Sequence, residues 1–290
     1  MSSRLRLRPP DAAALVTLGE ALFFDKELSG NRNMSCATCH HPDVATGDGL
    51  PLSLGEGAVG RGPARAVTAN GQVIARNAPH VFNAGLPQVP SMFWDGRVRF
   101  NAATGVYQTP EPGLNGNTPT LSAIVAALDG PLAAQALFPV TSPEEMRGDP
   151  GSNELADAGT NAEVWSRIMA RLVGTSNGTV GGILGYRNLF QAAFPAVSNF
   201  DDLNFGHAAR AIAAYERASF TFLNTPLDRY LAGDLTASPT PPSAAGWCSS
   251  APGAATAATA APCSATSSST PWPRPSSARA RTRGTTSAAS

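Results

Sequence analysis

The chain has 290 residues, a formal net charge of zero, 42% hydrophobic residues and only 14% charged ones. That length holds one large domain or two small ones, each able to bury a core, and the balanced charge excludes the basic excess of a nucleic-acid or anionic-membrane binder. No run approaches the roughly 18–20 apolar residues of a membrane-spanning helix. The averages conceal a break. From Ala237 to Ser290 there is no Leu, Ile, Val, Met, Phe, Asp or Glu, and four arginines are the only charges. Such a segment lacks the apolar periodicity needed to build a core. The globular part is therefore expected to end near Thr236, and it carries four more acidic than basic side chains.

In chain order, residues 1–11 read as an N-terminal tail. Its MSSRLRLRPP has the basic start of a signal peptide, but no apolar segment follows before the first helix. Asp11 is the expected N-cap of that helix, with Leu15, Leu18 and Leu22 at helical spacing up to Ser29-Gly30. Residues 31–120 are rich in Gly, Pro and Asn and predict long loops with short helices. A short Ala-rich helix is expected from Thr120 to Leu128. The polar stretch RGDPGSNELADAGT (147–160) reads as a surface insertion. Asn161 is the expected cap of a helix with Val164, Ile168 and Leu172 on one stripe. Two more helices are expected, Tyr186–Phe194 and Phe205–Phe220. No alternating strand pattern stands out. The fold class is mostly α and loop-rich, with so few local helices that the centre needs something besides side chains to fill it.

Cys36-Ala37-Thr38-Cys39-His40 supplies a candidate. C-x-x-C-H is the attachment signal of c-type haem. On a helical turn, cysteines at i and i+3 share a side and can form two thioethers, with His40 left to ligate the iron. The alternatives are a thioredoxin-like dithiol and half of a zinc site. The dithiol normally follows a strand, and none precedes Met34-Ser35. Zinc needs a second ligand pair, and the other cysteines, Cys248 and Cys263, lie in the anomalous tail. His41, adjacent to the motif, is expected to be solvated.

The stretch LGEALFFDKELSGNRNMSCATCHHPD (18–43) resembles the opening of the bacterial di-haem cytochrome c peroxidases and the related methylamine-dehydrogenase maturation enzyme. The likeness continues through RNAPHVFN (76–83), FWDGR (93–97), SPEEM (142–146), YRNLFQAAFP (186–195) and AIAAYERASFTFLNTPLDRYLAGD (211–234). It covers residues 12–236 and implies a cytochrome c-like haem domain with long loops. By that resemblance Cys36, Cys39 and His40 hold the N-terminal, peroxide-reacting haem. Trp94 matches the tryptophan between the two haems; an ordinary core aromatic is its alternative. Glu145 matches a distal carboxylate able to move a proton from one peroxide oxygen to the departing one. Glu144 is the competing position, and a helix-cap carboxylate the plainer reading. Gln135 matches a distal glutamine, and Asn77 a ligand of an inter-domain calcium. His207 reads as a packing or surface histidine.

The resemblance also implies hydrogen peroxide as substrate, a small donor protein (a cytochrome c or a cupredoxin), a homodimer as an assembly to test, and a periplasmic location. The last conflicts with the absent signal peptide and suggests a misassigned start codon. One departure is that the loop before RNAP holds no histidine to cap the iron, which predicts an open first haem; His80 is the nearest. A second is that no C-x-x-C-H follows DRYLAGD. Reading the tail one frame across, the third base of each codon joined to the next two, permits Cys-x-x-Cys-His from Ala254 to Thr259 and forces a valine codon at Trp247-Cys248. Residues 237–290 are accordingly read as a frameshift product, with the second haem domain missing or garbled. Two other functions compete. One is a mono-haem electron-transfer cytochrome or inactive fragment; the other is a maturation-type enzyme oxidising a partner protein.

Overall fold

A computed structural model describes residues 8–69, 71–176 and 180–237. The tail from Ser238 onward, with Cys248 and Cys263, lies outside the described residues, as do residues 1–7. The chain divides into two units, Met1–Leu223 and Asn224–Ser290.

In the first unit, α1 (Ala13–Phe24) buries Leu15, Leu18, Leu22 and Phe23, the stripe the leucine spacing predicts. It crosses α7 (Phe205–Phe220) closely. A Cβ on Gly19 would sit 1.9 Å from the Ala211 carbonyl oxygen, so only glycine lets the two backbones approach. The facing side of α7 is small for the same reason: Ala208, Ala211 and Ala214 are fully buried. Asp11 does not cap α1. The cap position is Ala12, without a side-chain bond, and Asp11 pairs instead with Arg217 of α7 at 2.8 Å.

The short α2 (Cys36–Cys39) rests against α1 and begins at a reciprocal cap between Ser35 and Thr38. Next come three short antiparallel strands in the order β1 (Ser91–Met92), β2 (Val98–Asn101), β3 (Val106–Gln108). Their register pairs Met92 with Val98 and Phe100 with Tyr107. Met92, Val98 and Tyr107 form a small core with Leu132, Ala133, Ala134 and Ala213. The sequence reading contained no strand because pieces of two to four residues are too short for alternation to emerge.

The Ala-rich helix is α3 (Ser122–Ala127), followed by α4 (Pro131–Gln135) with proline in its first turn. The helix α5 (Asn161–Val173) buries Val164, Ile168 and Leu172 as expected, but its cap is Thr160, whose side chain accepts from Glu163 N–H. The stretch 147–160 is more than a surface insertion. Leu155 is fully buried, and the Arg147 guanidinium collects the carbonyls of Leu155, Ala156 and Ala158. A polar composition hid a segment folded around one arginine. Helix α6 (Leu184–Ala193) buries Tyr186 and Phe190, and α7 starts at an Asn204 cap. The second unit is described as far as Ala237 and holds α8 (Pro226–Leu231), capped reciprocally by Thr225 and Asp228. No helix among the described residues is long and apolar enough to cross a membrane.

Candidate haem-binding site

Cys36 and Cys39 are both free thiols on one turn. They meet different walls. Cys39 Sγ accepts from the Arg65 guanidinium at 3.2 Å and from Ser53 Oγ at 3.7 Å. Cys36 lies in electrostatic reach of Glu216 on α7 and Glu145. Burial pushes the Cys36 thiol up to about 12 and raises the Cys39 thiol as well. A redox-active dithiol needs the opposite, a thiol lowered toward neutrality. Zinc fares no better: among the described residues no group of three or more His, Cys, Asp or Glu could hold a metal ion.

The ring of His40 is fixed by its Nδ1, 2.9 Å from the Thr46 carbonyl oxygen. The Pro79 carbonyl also accepts from the imidazole, so two backbone oxygens orient the ring, and a carbonyl contact on one nitrogen is what a metal-ligating imidazole uses to hold its orientation. Ala45 and Thr46 both adopt left-handed backbone, φ 54° and 60°, and this kink turns the Thr46 carbonyl back onto the ring. Burial lowers the His40 pKa, keeping the imidazole neutral. Two free thiols on one turn followed directly by a neutral, oriented imidazole fit a covalently held haem.

The other motifs gather around this turn. RNAPHVFN straps the 40–47 loop: Val81 N–H donates to Thr46 Oγ1 at 3.0 Å, and His80 Nδ1 lies 2.5 Å from the Ala45 carbonyl oxygen. His80 is thus held on the loop that supports His40, rather than reaching across to cap an iron. FWDGR is the turn between β1 and β2. Phe93 at φ 64° and Gly96 at φ 67° close it, and Trp94 stands at its tip, 69% exposed, with the Arg76 guanidinium 3.6 Å above its ring. Trp94 is therefore no ordinary core aromatic.

SPEEM forms one wide helical turn, Pro143–Arg147, capped by Ser142 Oγ accepting from Glu145 N–H at 3.3 Å. Wide turns of this kind recur at functional sites. The backbone on either side of Glu145 is pinned: Glu56 N–H donates to the Glu144 carbonyl at 2.9 Å and Gly30 N–H to that of Met146 at 2.7 Å. Glu145 is half-buried while Glu144 is exposed. Burial raises the Glu145 pKa, opposed by the charge of Arg97, which lies over the Phe93 ring at 3.7 Å. Gln135 ends α4, half-buried, with no hydrogen bond linking its amide to Glu145. Asn77 is exposed. His207 completes the α7 cap with Asn204 and meets the Phe194 ring edge-on, a packing role as expected. His41 is more engaged than expected, half-buried, accepting from Asp43 N–H and lying 3.2 Å from Arg61.

The sequence model of the di-haem cytochrome c peroxidases matches residues 13–236. The chain belongs to this family. Among its relatives are the cytochrome c551 peroxidase of Pseudomonas aeruginosa, 29% identical over 217 residues, and the methylamine utilization protein MauG of Methylophilus methylotrophus, 28% identical over 218. Each match takes in 75% of this chain but only 42% and 43% of the relative, so the chain spans less than half the length of these relatives. Among solved structures, a MauG-like protein associated with microbial copper homeostasis is 25% identical with a TM-score of 0.44, covering 79% of this chain and 47% of that one. The di-haem peroxidase membership agrees with the C-x-x-C-H site and with the order of the motifs around it.

Residues that sequence reading passed over also belong to the site: Thr46 behind His40, Arg65 at Cys39, Arg76 on Trp94, Arg97 near Glu145, and Glu216. Only Glu216 had a visible signal. It falls on the buried stripe of α7 with Ile212 and Phe220, four residues to either side, where a carboxylate is out of place.

Proposed function

We propose that this chain is the peroxide-reacting half of a di-haem c-type peroxidase, which reduces hydrogen peroxide to water with electrons from a small periplasmic donor protein. Cys36 and Cys39 would attach one haem and His40 would ligate its iron. When bound, the haem supplies the redox-active iron at which peroxide is reduced. The observation that carries a peroxidase, rather than an electron carrier, is the pinned turn of Glu145. Its carboxyl is half-buried, raised in pKa and held from both flanks within electrostatic reach of Cys36. A carboxyl held there can take a proton from one peroxide oxygen and return it to the oxygen leaving as water. Trp94, held by Arg76, serves as the relay that passes electrons from the second haem to the peroxide-reacting one, and Gln135 as an auxiliary polar group near the peroxide.

The test is Glu145→Gln in the haem-loaded chain, followed by rapid mixing with peroxide. Loss of a general acid–base group costs about 10²–10⁴-fold in rate. An unchanged rate would favour the mono-haem electron carrier. We further propose that residues 237–290 arise from a frameshift near codon 237. The family match ends at residue 236, where the composition changes, and the shifted frame permits a second C-x-x-C-H where the family carries one. Resequencing the gene from codon 225 past codon 290 decides it. An inserted or missing base restores the motif, and a confirmed frame refutes the proposal.

A further inference from the structure

Glu216 is the one charged residue of α7 on its apolar face. It is 7% exposed, and its Oε2 is buried without a hydrogen-bond partner. Buried carboxyls normally have partners, because an unpaired one forfeits its hydration without return. After burial itself, the charge of Glu216 is the largest influence raising the Cys36 thiol, so the buried carboxyl lies within electrostatic reach of that sulfur. Few other charges reach it. Among the described residues, Arg217, next along the helix, is the charge that acts on it directly, and Arg217 is already engaged by Asp11 and Asp129. On α1, Glu20 acts on Tyr215; α3 and α4 carry no ionisable side chain; the charges of α5 pair among themselves and with Glu154. Glu145 acts on Cys36, and neither carboxyl registers the other.

We propose that Glu216 is a positioning residue that sets the potential of the haem iron, its carboxylate taking up one proton as the iron takes up one electron. The inference rests on haem attachment at Cys36 and Cys39. Ferric iron carries the greater positive charge and favours the carboxylate beside it; ferrous iron favours the neutral acid. The electron comes from the donor protein and the proton from solvent to a carboxylate oxygen of Glu216, so the charge of the pocket is unchanged. Burial holds this carboxyl up at about 8 in the unloaded chain, which brings the exchange into the physiological range.

The experiment uses the full chain, co-expressed with a c-haem maturation system. Covalent haem is quantified after denaturation, and midpoint potentials are then titrated from pH 5 to 9 for wild type and Glu216→Gln. At low pH the two coincide. At pH 9 the variant, lacking the negative charge, holds about tenfold more ferrous haem at a fixed potential, a ~59 mV rise for a one-electron couple. Its potential also loses the pH dependence contributed by Glu216. If the Glu216→Gln protein does not accumulate, Glu216→Leu, which suits the apolar wall, carries the same expectation. Attached haem with the wild-type pH dependence in the variant overturns the inference alone. Absence of covalent haem overturns the reading beneath it, and the inference with it.

Discussion

Arg217 ties three parts of the first unit together, and its removal has a calculable outcome. Its guanidinium grips Asp11 in a fork, Nε to Oδ2 at 2.8 Å and Nη2 to Oδ1 at 3.0 Å, and also reaches Asp129 Oδ2 at 2.8 Å. All three side chains are nearly buried, 9% exposed for Arg217, 13% for Asp11 and 10% for Asp129. Neighbouring carboxylates raise the Arg217 pKa against the opposing effect of its burial. Arg217→Leu would leave two nearly buried carboxylates side by side. Asp129 keeps Arg8 at 3.0 Å and, more distantly, Arg210 at 3.8 Å, whereas Asp11 loses its guanidinium fork. Breaking a buried pair from one side costs roughly 3–5 kcal/mol, most of it from the stranded charge. Urea unfolding of the haem-loaded chain, followed by far-ultraviolet circular dichroism, should read that loss. Adding Asp11→Asn and Asp129→Asn to Arg217→Leu should recover most of it, since no charge is then stranded. A loss below about 1 kcal/mol for Arg217→Leu, the value of an exposed pair, would refute the reasoning.

Other outcomes follow from close contacts and from burial. Gly19→Ala drives a methyl into the Ala211 carbonyl and should cost the α1–α7 crossing about 3 kcal/mol or more, measured by thermal unfolding. Gly55→Ala would set a Cβ 1.8 Å from the Glu144 carbonyl oxygen and displace the turn carrying Glu145. Peroxide reactivity should fall with it, and combining it with Glu145→Gln should give less than the product of the two losses. In the chain without haem, Glu216 is raised to about 8 from its ordinary 4.5, so the folded state holds a proton that the unfolded state releases. Stability is therefore full below about pH 4.5, falls as pH rises to about 8, and levels beyond, by at most ~5 kcal/mol. Glu216→Gln should flatten that slope in urea titrations at successive pH values; a wild-type slope in the variant would place the titrating group elsewhere.

Parts of this architecture are readable from the chain alone because they are periodic. Leu15, Leu18 and Leu22 mark α1, and Val164, Ile168 and Leu172 mark α5, since a helix buries what recurs every three to four residues. Cys36, Cys39 and His40 are readable because the chemistry demands contiguous residues. What escaped reading is aperiodic. FWDGR shows a tryptophan but not that it caps a hairpin, because the flanking strands are too short to alternate. Asp11 looks like a cap by its place before a helix, yet a buried guanidinium on a helix 206 residues away outbids the cap site. Arg147 makes a core segment of a polar sequence by satisfying three carbonyls, a saturation that composition cannot reveal.

The same logic connects the fold to its site. The glycine crossing at Gly19 lets α7 lie close along α1, and α2 rests on α1, so the carboxyl at position 216 comes within electrostatic reach of the sulfur at position 36 although 180 residues separate them. A second close approach, Gly55 under the Glu144 carbonyl, holds the turn of Glu145 on another wall of that turn's surroundings. Small residues thus do in this chain what long side chains cannot: they bring backbone near enough that short carboxyls come within electrostatic reach of Cys36. Enlarging either glycine should therefore disturb the haem environment before it unfolds the chain. The Soret spectrum of loaded Gly19→Ala and Gly55→Ala variants should shift under conditions where circular dichroism still reports native helix. Spectra that change only together with unfolding would mean that the haem environment does not depend on these two approaches.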